Sequence, residues 1–448
     1  MNRYEKYKDS GFDWIGEIPE HWKSIRLKYI GYLYGGLSGK SSKDFNQSAN
    51  PDNKPFIPFT NIANNKVIDP KQMQYVVIKK GEKQNEVENG DLFFMMSSEN
   101  YEDVGKSTIL LDYLGETYLN SFCKGFRFTE QEYFPTFVNY LLLSQPYRSL
   151  LQIEANGFTR INLKIDKVND LALKVPPFEE QTAIANYLDR KTAEIDELIN
   201  QKEQLLKLYE EEKTAIINQA VTKGLPCKDA RTCVSFKDSG IDWLGEIPEH
   251  WEVKKLKYVT KDIITGKTPS SSNSSYYNGD IDWFSPGDFN NNFILNDSNR
   301  KITKQAISEA RMKIYPPNSV LLVGIGATLG KLGISINAST SNQQINAIIF
   351  DEKIVNPFYG LYFLLSIKNA IIRLANAATL AIFNQTQTKE FEIFIPSSEE
   401  QTAIVQYIET ETTRINTKAK KTKKLIELLK EYKQSLISEV VTGKVKVM

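Results

Sequence analysis

Histidine, cysteine and net charge are what this sequence has least of. The two histidines, His21 and His250, fall far apart in a chain of 448 residues. With no other histidine and no paired cysteines, they are too few to build a zinc site. The three cysteines, Cys123, Cys227 and Cys233, are an odd number without a CxxC pair, which argues against a disulfide framework. A net charge of +1 promises no general affinity for polyanions, although local distribution matters more than the sum. No uninterrupted apolar run approaches the roughly 20 residues that a membrane span requires. The opening "MNRYEKYKDSG" lacks an apolar signal core, so the expected location is cytoplasmic. What remains is an ordinary soluble composition, 41% hydrophobic and 25% charged, in a chain too long for one core.

What is present is repetition. "DSGFDWIGEIPEHWKSIRLKYI" (Asp9 to Ile30) returns as "DSGIDWLGEIPEHWEVKKLKYV" (Asp238 to Val259). These copies hold both histidines and four of the five tryptophans. "VPPFEEQTAIANYL" (Val175 to Leu188) is answered by "IPSSEEQTAIVQYI" (Ile395 to Ile408). The chain is thus one unit written twice: a near-identical opening, a divergent middle and a similar closing helix. Proline, histidine and tryptophan in "IPEHW" suggest a rigid elbow joining each middle to its helix.

The closing segments read as long helices. Neither proline nor glycine interrupts Glu180 to Thr222, and apolar residues recur at Ile184, Leu188, Ile195, Leu198, Leu205, Tyr209 and Ile216. Ile404, Ile408, Ile415, Leu425, Leu429 and Leu436 repeat the pattern. Such spacing is a coiled-coil seam, interrupted here by Lys191, Lys202, Glu411 and Lys418. One helix carries the chain away from the first domain and its twin brings it back, so an antiparallel pair is expected, with the C-terminus returning near the N-terminus. Pro176 and Pro177 precede the first helix, and Gly224 with Pro226 ends it. The middles read as mixed α/β: "VENGDLFFMM" and "PPNSVLLVGI" as turns leading into buried strands, "YFPTFVNYLLLS" and "IVNPFYGLYFLLS" as helices opened by proline. The expected fold is therefore α+β, with two globular α/β domains, at 1–174 and 225–394, joined by spacer helices at 175–224 and 395–448.

Three stretches imitate catalytic motifs and fail on particulars. "NPFY" (Asn356 to Tyr359) approaches an amino-methyltransferase signature, but its counterpart "FPTF" keeps only the proline, which points to a helix start capped by Asn356. "GGLSGKS" (Gly35 to Ser41) lacks the first glycine of a phosphate-binding loop, since position 34 is Tyr34. "VGIGATLGKLG" (Val323 to Gly333) has no βαβ unit around it and reads as a strand and tight turn at Gly330-Lys331, matched by Gly105-Lys106. No catalytic reading survives. A molecule with matching connectors and divergent middles is suited to recognising two different targets, as a pseudo-twofold protein matches a split DNA site.

Taken in order, "DSGxDWxGEIPEHW", a variable α/β block, "EEQTAI" and a long helix, all repeated, resemble the specificity subunit of type I restriction-modification systems. "TGKTPSSSNSSYYNGDIDWFSPGDF" and "SNQQI" in the second block also look like this family's target recognition domains. The first block departs, with "SGKSSKDF" and "YLNSFCKGF" in their places. The resemblance implies a non-catalytic, cofactor-free subunit. Each target recognition domain would read one half of a bipartite site in double-stranded DNA, with the coiled coil setting the gap. It implies as partners two modification subunits, which methylate adenine N6 with S-adenosylmethionine, and ATP-dependent restriction subunits, with no membrane involved. A degenerate methyltransferase around Asn356 and a coiled-coil protein scaffold are the competing readings.

Asparagine and glutamine can bond adenine edges, and lysine or arginine can take guanine or phosphate. Polar and basic loop positions shared by the two copies, or matching the family motifs, therefore nominate DNA contacts. In the first domain these are Lys40, Asn61, Ser98, Lys106, Arg160, Asn162 and Lys164. In the second they are Lys267, Thr268, Asp288, Asn290, Thr328, Lys331, Asn342, Gln343, Gln344, Gln385 and Lys389.

Overall fold

The long prolineless stretches form continuous helices in the computed structural model, which describes residues 3–45, 50–112, 115–226, 234–241, 245–290, 293–376 and 382–447. The first long helix runs Phe178–Lys223 and the second Ser398–Val441. Cys227 and Cys233, and Asp242 to Leu244 of the second motif copy, lie outside the described residues. The chain divides into two compact units, 1–203 with 424–448, and 204–423, so the division falls inside both long helices. No helix among the described residues is long and apolar enough to cross a membrane.

In the first unit a four-stranded antiparallel sheet has the order Gly31–Gly35, Cys123–Phe128, Leu92–Met95, Ser107–Ile109. A three-stranded sheet beside it pairs Tyr118–Leu119 in parallel with Asn53–Ile57, and that strand antiparallel with Gln74–Val77. Leu92–Met95 is buried along its whole length, as an apolar run at the middle of a sheet should be. The helix Pro135–Leu143 opens on its proline, where the missing N–H costs nothing. Tyr34 donates to buried Asp91 at 2.5 Å, and Arg127 grips the same carboxylate through Nε at 3.0 Å and Nη2 at 2.7 Å.

The second unit repeats this plan. Its main sheet runs Thr260–Thr265, Ile345–Phe350, Ser319–Val323, Leu332–Ser335, Ile294–Leu295. Its smaller sheet pairs Ser339–Ser341 in parallel with Tyr277–Phe284, which also pairs with Lys301–Ile302. Pro357 opens the helix Pro357–Ser366, and the Asn356 side chain accepts from the Phe358 N–H at 2.9 Å, so "NPFY" is a capped helix start.

Both units use the repeated motifs in one way. In the first, Glu180 in the opening turn of the long helix accepts from Trp22 Nε1 at 3.1 Å and lies 2.7 Å from His21 Nε2. In the second, Glu400 accepts from Trp251 Nε1 at 3.1 Å and lies 2.8 Å from His250 Nε2. Gln181 and Gln401 staple the neighbouring helix, each accepting a backbone N–H at 2.8 Å, from Phe134 and Asn356 respectively. The elbow is therefore a clasp between "IPEHW" and "EEQTAI". Each tryptophan, fully buried, also meets the end of a helix. A Cβ on Gly443, after the second long helix, would lie 2.3 Å from Pro19 and 3.3 Å from Trp22. Gly224, after the first, lies beside Trp251 and Pro248, its Cβ position 3.6 and 3.9 Å from them, in ordinary contact.

The long helices are antiparallel. In the first unit Asp196 pairs with Lys433 at 2.6 Å and Glu203 with Lys430 at 3.6 Å, so partners descend as residues ascend. In the second unit Glu212 pairs with Arg414 at 2.8 Å. The seam differs from the expected one in its middle. Ile199 is 9% exposed and Leu198 37%; Ile426 is buried and Leu425 exposed. Thr192 and Thr422, both buried, hold the heptad phase, and Lys191 and Lys418 fall outside it. Polar side chains at seam positions concealed that phase.

Candidate nucleic-acid interface

The loops carrying the nominated residues hang from a frame common to both units. In the first, the Leu37 N–H donates to Leu119 O at 2.8 Å and the Asn120 N–H to Ile57 O at 3.1 Å. In the second, the Lys267 N–H donates to Ser341 O at 2.9 Å and the Asn342 N–H to Phe284 O at 3.0 Å. Asn120 and Asn342 each fold their side chain onto the N–H two residues on, Phe122 at 2.8 Å and Gln344 at 3.0 Å. Gly36 and Gly266 pass so close that a Cβ on either would lie 2.1 Å from Asn120 O or 2.2 Å from Asn342 O. No other residue type fits there. The divergent stretches "YLNSF" and "SNQQI" thus occupy one structural position.

Within the second unit the nominated residues converge. Lys267 has its backbone pinned on both sides, its carbonyl accepting from Trp283 Nε1 at 3.0 Å, and its exposed side chain reaches Arg311 O at 2.9 Å. Thr268 hydrogen-bonds to exposed Gln343. Gln344 Nε2 donates to Ile325 O at 3.4 Å, joining the 341–344 turn to the 324–331 turn that holds Thr328. Lys331 Nζ donates to Phe289 O at 3.3 Å, beside exposed Asn290. Gln385 donates to Ile263 O, and Lys389 lies half-buried on the same short helix, Gln385–Glu390.

Two of these residues serve the frame. The Asp288 carboxylate accepts from the Ser285 N–H at 2.7 Å, its hydroxyl at 2.8 Å and the Asn299 N–H at 2.8 Å. Asn342 is buried, its amide donating to Gln344 at 3.0 Å. Both are corrected from readers to supports, because a carboxylate or amide so engaged would have to break its turn to meet a base.

The first unit assembles differently. Lys40 is buried against Glu82 at 2.6 Å and Val77 O at 2.5 Å, and Asn61 is fully buried, clamping Asp69 through both backbone atoms at 2.9 and 3.0 Å. Neither presents its polar group outward, and both expectations are corrected. Lys106 is held by Asp103 at 2.6 Å and Ala63 O at 3.2 Å. Ser98, Arg160 and Asn162, in contrast, come together where Ser97–Ser98 pairs with Ile161–Asn162. Exposed Lys164 follows at the next helix start. Behind this pair Arg148, buried, donates to Glu102 O at 2.9 Å and Val104 O at 2.8 Å and fixes the intervening turn.

Sequence reasoning missed the aromatic residues here. The Arg160 guanidinium stacks 4.8 Å from the centre of the Phe122 ring. Tyr101, whose hydroxyl donates to Gly157 O at 3.5 Å, and fully exposed Phe158 stand on the adjoining turns. Their signal was a lone aromatic in each of "SSENYED", "LNSFC" and "NGFTR", set among turn formers. Arginine can address guanine bidentately, and an exposed ring can press on a base or thymine methyl. Among the described residues no cluster of acidic, histidine or cysteine side chains is arranged to hold a metal.

Comparison with known proteins places this geometry. The family model described as type I restriction modification DNA specificity domain matches twice, over residues 19–208 and 248–428. The MjaIX specificity subunit of Methanocaldococcus jannaschii is 33% identical over 174 residues, 38% of this chain and 39% of that one. The putative MjaX specificity subunit of the same organism is 25% identical over 465 aligned residues, 98% of each. Among solved structures, the HsdS subunit of Thermoanaerobacter tengcongensis superposes with a TM-score of 0.59 at 17% identity, over 96% of this chain and 98% of that one. A chain from a structure of type I restriction-modification assembly and conformational transition gives 0.73 at 16%, over 96% and 99%. These two likenesses concern the fold. Two matched segments spanning both units settle the affiliation: the chain belongs to the type I restriction modification DNA specificity family.

Proposed function

We propose that this chain is the sequence-specific DNA-recognition subunit of a type I restriction-modification complex, non-catalytic and without a cofactor, acting in the cytoplasm. Target recognition domains at 1–174 and 225–394 each read one half of a bipartite site in double-stranded DNA. Spacer helices at 175–224 and 395–448 set the gap. Two modification subunits supply adenine N6 methylation, and restriction subunits supply ATP-dependent cleavage.

One observation carries this reading. Equivalent loops, held by Gly36 on Asn120 and Gly266 on Asn342, display different side chains: Phe122 with Arg160 and Asn162 in one unit, Lys267 with Thr268 and Gln343 in the other. A common frame with changed outward groups is what reading two half-sites requires. Arg160, Asn162, Lys164, Lys267, Thr268 and Gln343 are the proposed contacts, supported by Ser98, Lys106, Asn290, Thr328, Lys331, Gln344, Gln385 and Lys389.

The test is co-expression with the modification subunit from the same host, followed by mapping of N6-methyladenine in cellular DNA. A split motif present only with this chain is expected. Methylation that does not change when the chain is removed overturns the reading.

A further inference from the structure

Just beyond the clasp, each motif copy ends in a tight turn, Leu27–Tyr29 and Leu256–Tyr258. These turns serve neither clasp nor loop frame. Tyr29 is 62% exposed and Tyr258 66%. Beside each ring stands a lysine ammonium, Lys28 at 5.4 Å and Lys257 at 5.1 Å from the ring centre. Each lysine is tied to a carboxylate across the sheet, Lys28 to Asp170 and Lys257 to Glu390, both at 2.7 Å. A second cation joins each carboxylate, Arg26 at 3.4 Å and Lys255 at 2.8 Å. The charge pattern is kept while its residues change, arginine for lysine and aspartate for glutamate.

Stability does not explain this. Exposed ion pairs add little, and an exposed tyrosine beside them adds less. In the first unit the patch continues through Asp170 and Arg26 into a cleft of about 340 Å³ lined also by Phe12, Trp14 and Leu151. Trp14 stays half-buried there, edge-on to Tyr147.

We propose that each tyrosine turn is the docking point for one modification subunit, both copies meeting the same surface of two identical partners. This inference rests on the functional reading above. Tyrosine is favoured at the centre of protein interfaces, where its ring fills a pocket and its hydroxyl finds a partner. The alternative occupant, a DNA backbone, fits less well, because the cations of the patch are already matched by carboxylates. In the first unit the turn also sits at the opposite end of its strand from the Gly36 loop: Gly31–Gly35 separates Tyr29 from Gly36, roughly 16 Å at about 3.3 Å per residue.

The experiment titrates the full chain with the modification subunit from the same host and counts bound copies by native mass spectrometry. The wild-type chain should bind two. Tyr29→Ala and Tyr258→Ala should each weaken one site at least tenfold, leaving a 1:1 species, and the double variant should weaken both. Lys28→Glu and Lys257→Glu, which reverse charge without removing the ring, should do the same if an alanine variant aggregates. A double variant that keeps two copies at wild-type affinity overturns the inference alone. So does one that keeps two copies but loses DNA affinity, which assigns the patch to DNA. A wild-type chain that binds no modification subunit overturns the functional reading together with the inference.

Discussion

Removing Glu180 should loosen the first unit by an amount the clasp geometry allows to be worked out. The carboxylate is almost fully buried and takes three contacts: Tyr4 hydroxyl at 2.6 Å, Trp22 Nε1 at 3.1 Å and His21 Nε2 at 2.7 Å. In Glu180→Ala the indole N–H of fully buried Trp22 has lost its acceptor, which costs about 1–3 kcal/mol. Tyr4 and His21 are less enclosed and can turn to water, so they contribute less. Loss of an anion from the first turn of the helix adds about 0.5 kcal/mol. The total is about 3 kcal/mol, or roughly 9 °C at about 3 °C per kcal/mol for a unit of this size. Among the described residues the Glu400 side chain makes only the tryptophan and histidine contacts and is more exposed, so Glu400→Ala should cost about 2 kcal/mol in the second unit. Calorimetry would measure both losses, and hydrogen exchange at the Trp22 and Trp251 indoles would locate them. Equal effects, or losses below about 0.5 kcal/mol, would refute the clasp as a principal fastening of these helices.

Three further outcomes are expected. Ile199→Ala should destabilise the chain by about 2 kcal/mol and Leu198→Ala by less than about 1 kcal/mol, measured by urea unfolding; the reverse order would restore the seam read from apolar spacing. Arg160→Ala should lower methylation at one half-site roughly tenfold or more, as loss of a base contact does, and Lys164→Ala should weaken DNA binding evenly across sequences with a salt slope shallower by about one. Burial pushes the Cys123 thiol up to about 12, so at pH 8 it stays neutral and should resist alkylation, detected by peptide mass spectrometry, until denaturant opens the first unit.

Most of the architecture was legible because it rests on periodic signals. Proline-opened helices, all-apolar central strands and prolineless long helices follow from local rules, and the duplication supplied the order of parts. The clasp was not legible, since "EEQTAI" reads as an acidic helix start and nothing local says that Glu180 turns toward Trp22. The helix seam was misread for a similar reason, its phase being kept by Thr192 and Thr422. Polar loops were identified as a set, yet their members could not be sorted. Asparagine and aspartate cap turns with the same groups that would meet a base, as Asn61, Asp288 and Asn342 do. Exposed Phe122 and Phe158 passed unnoticed because an aromatic residue is ordinarily assigned to a core.

The clasp also accounts for why the two halves agree where they do. In each unit one tryptophan touches both the beginning of one long helix and the residues that end the other: Trp22 meets Glu180 and Gly443, and Trp251 meets Glu400 and Gly224. A substitution in "GEIPEHW" therefore disturbs two helices at once, whereas one in a middle disturbs the loops of a single sheet. The glycines sharpen this constraint, since Gly443 and Gly224 have positive φ, +74° and +80°, and in Gly443 a side chain would also strike Pro19. Residues that satisfy several neighbours at fixed distances have few alternatives, so the two motif copies can hardly differ. Residues facing outward from Gly36 and Gly266 satisfy only the loop behind them. The pattern of sameness and difference along this chain is thus the pattern of its internal contacts, and the surface left unconstrained is the one assigned to reading DNA.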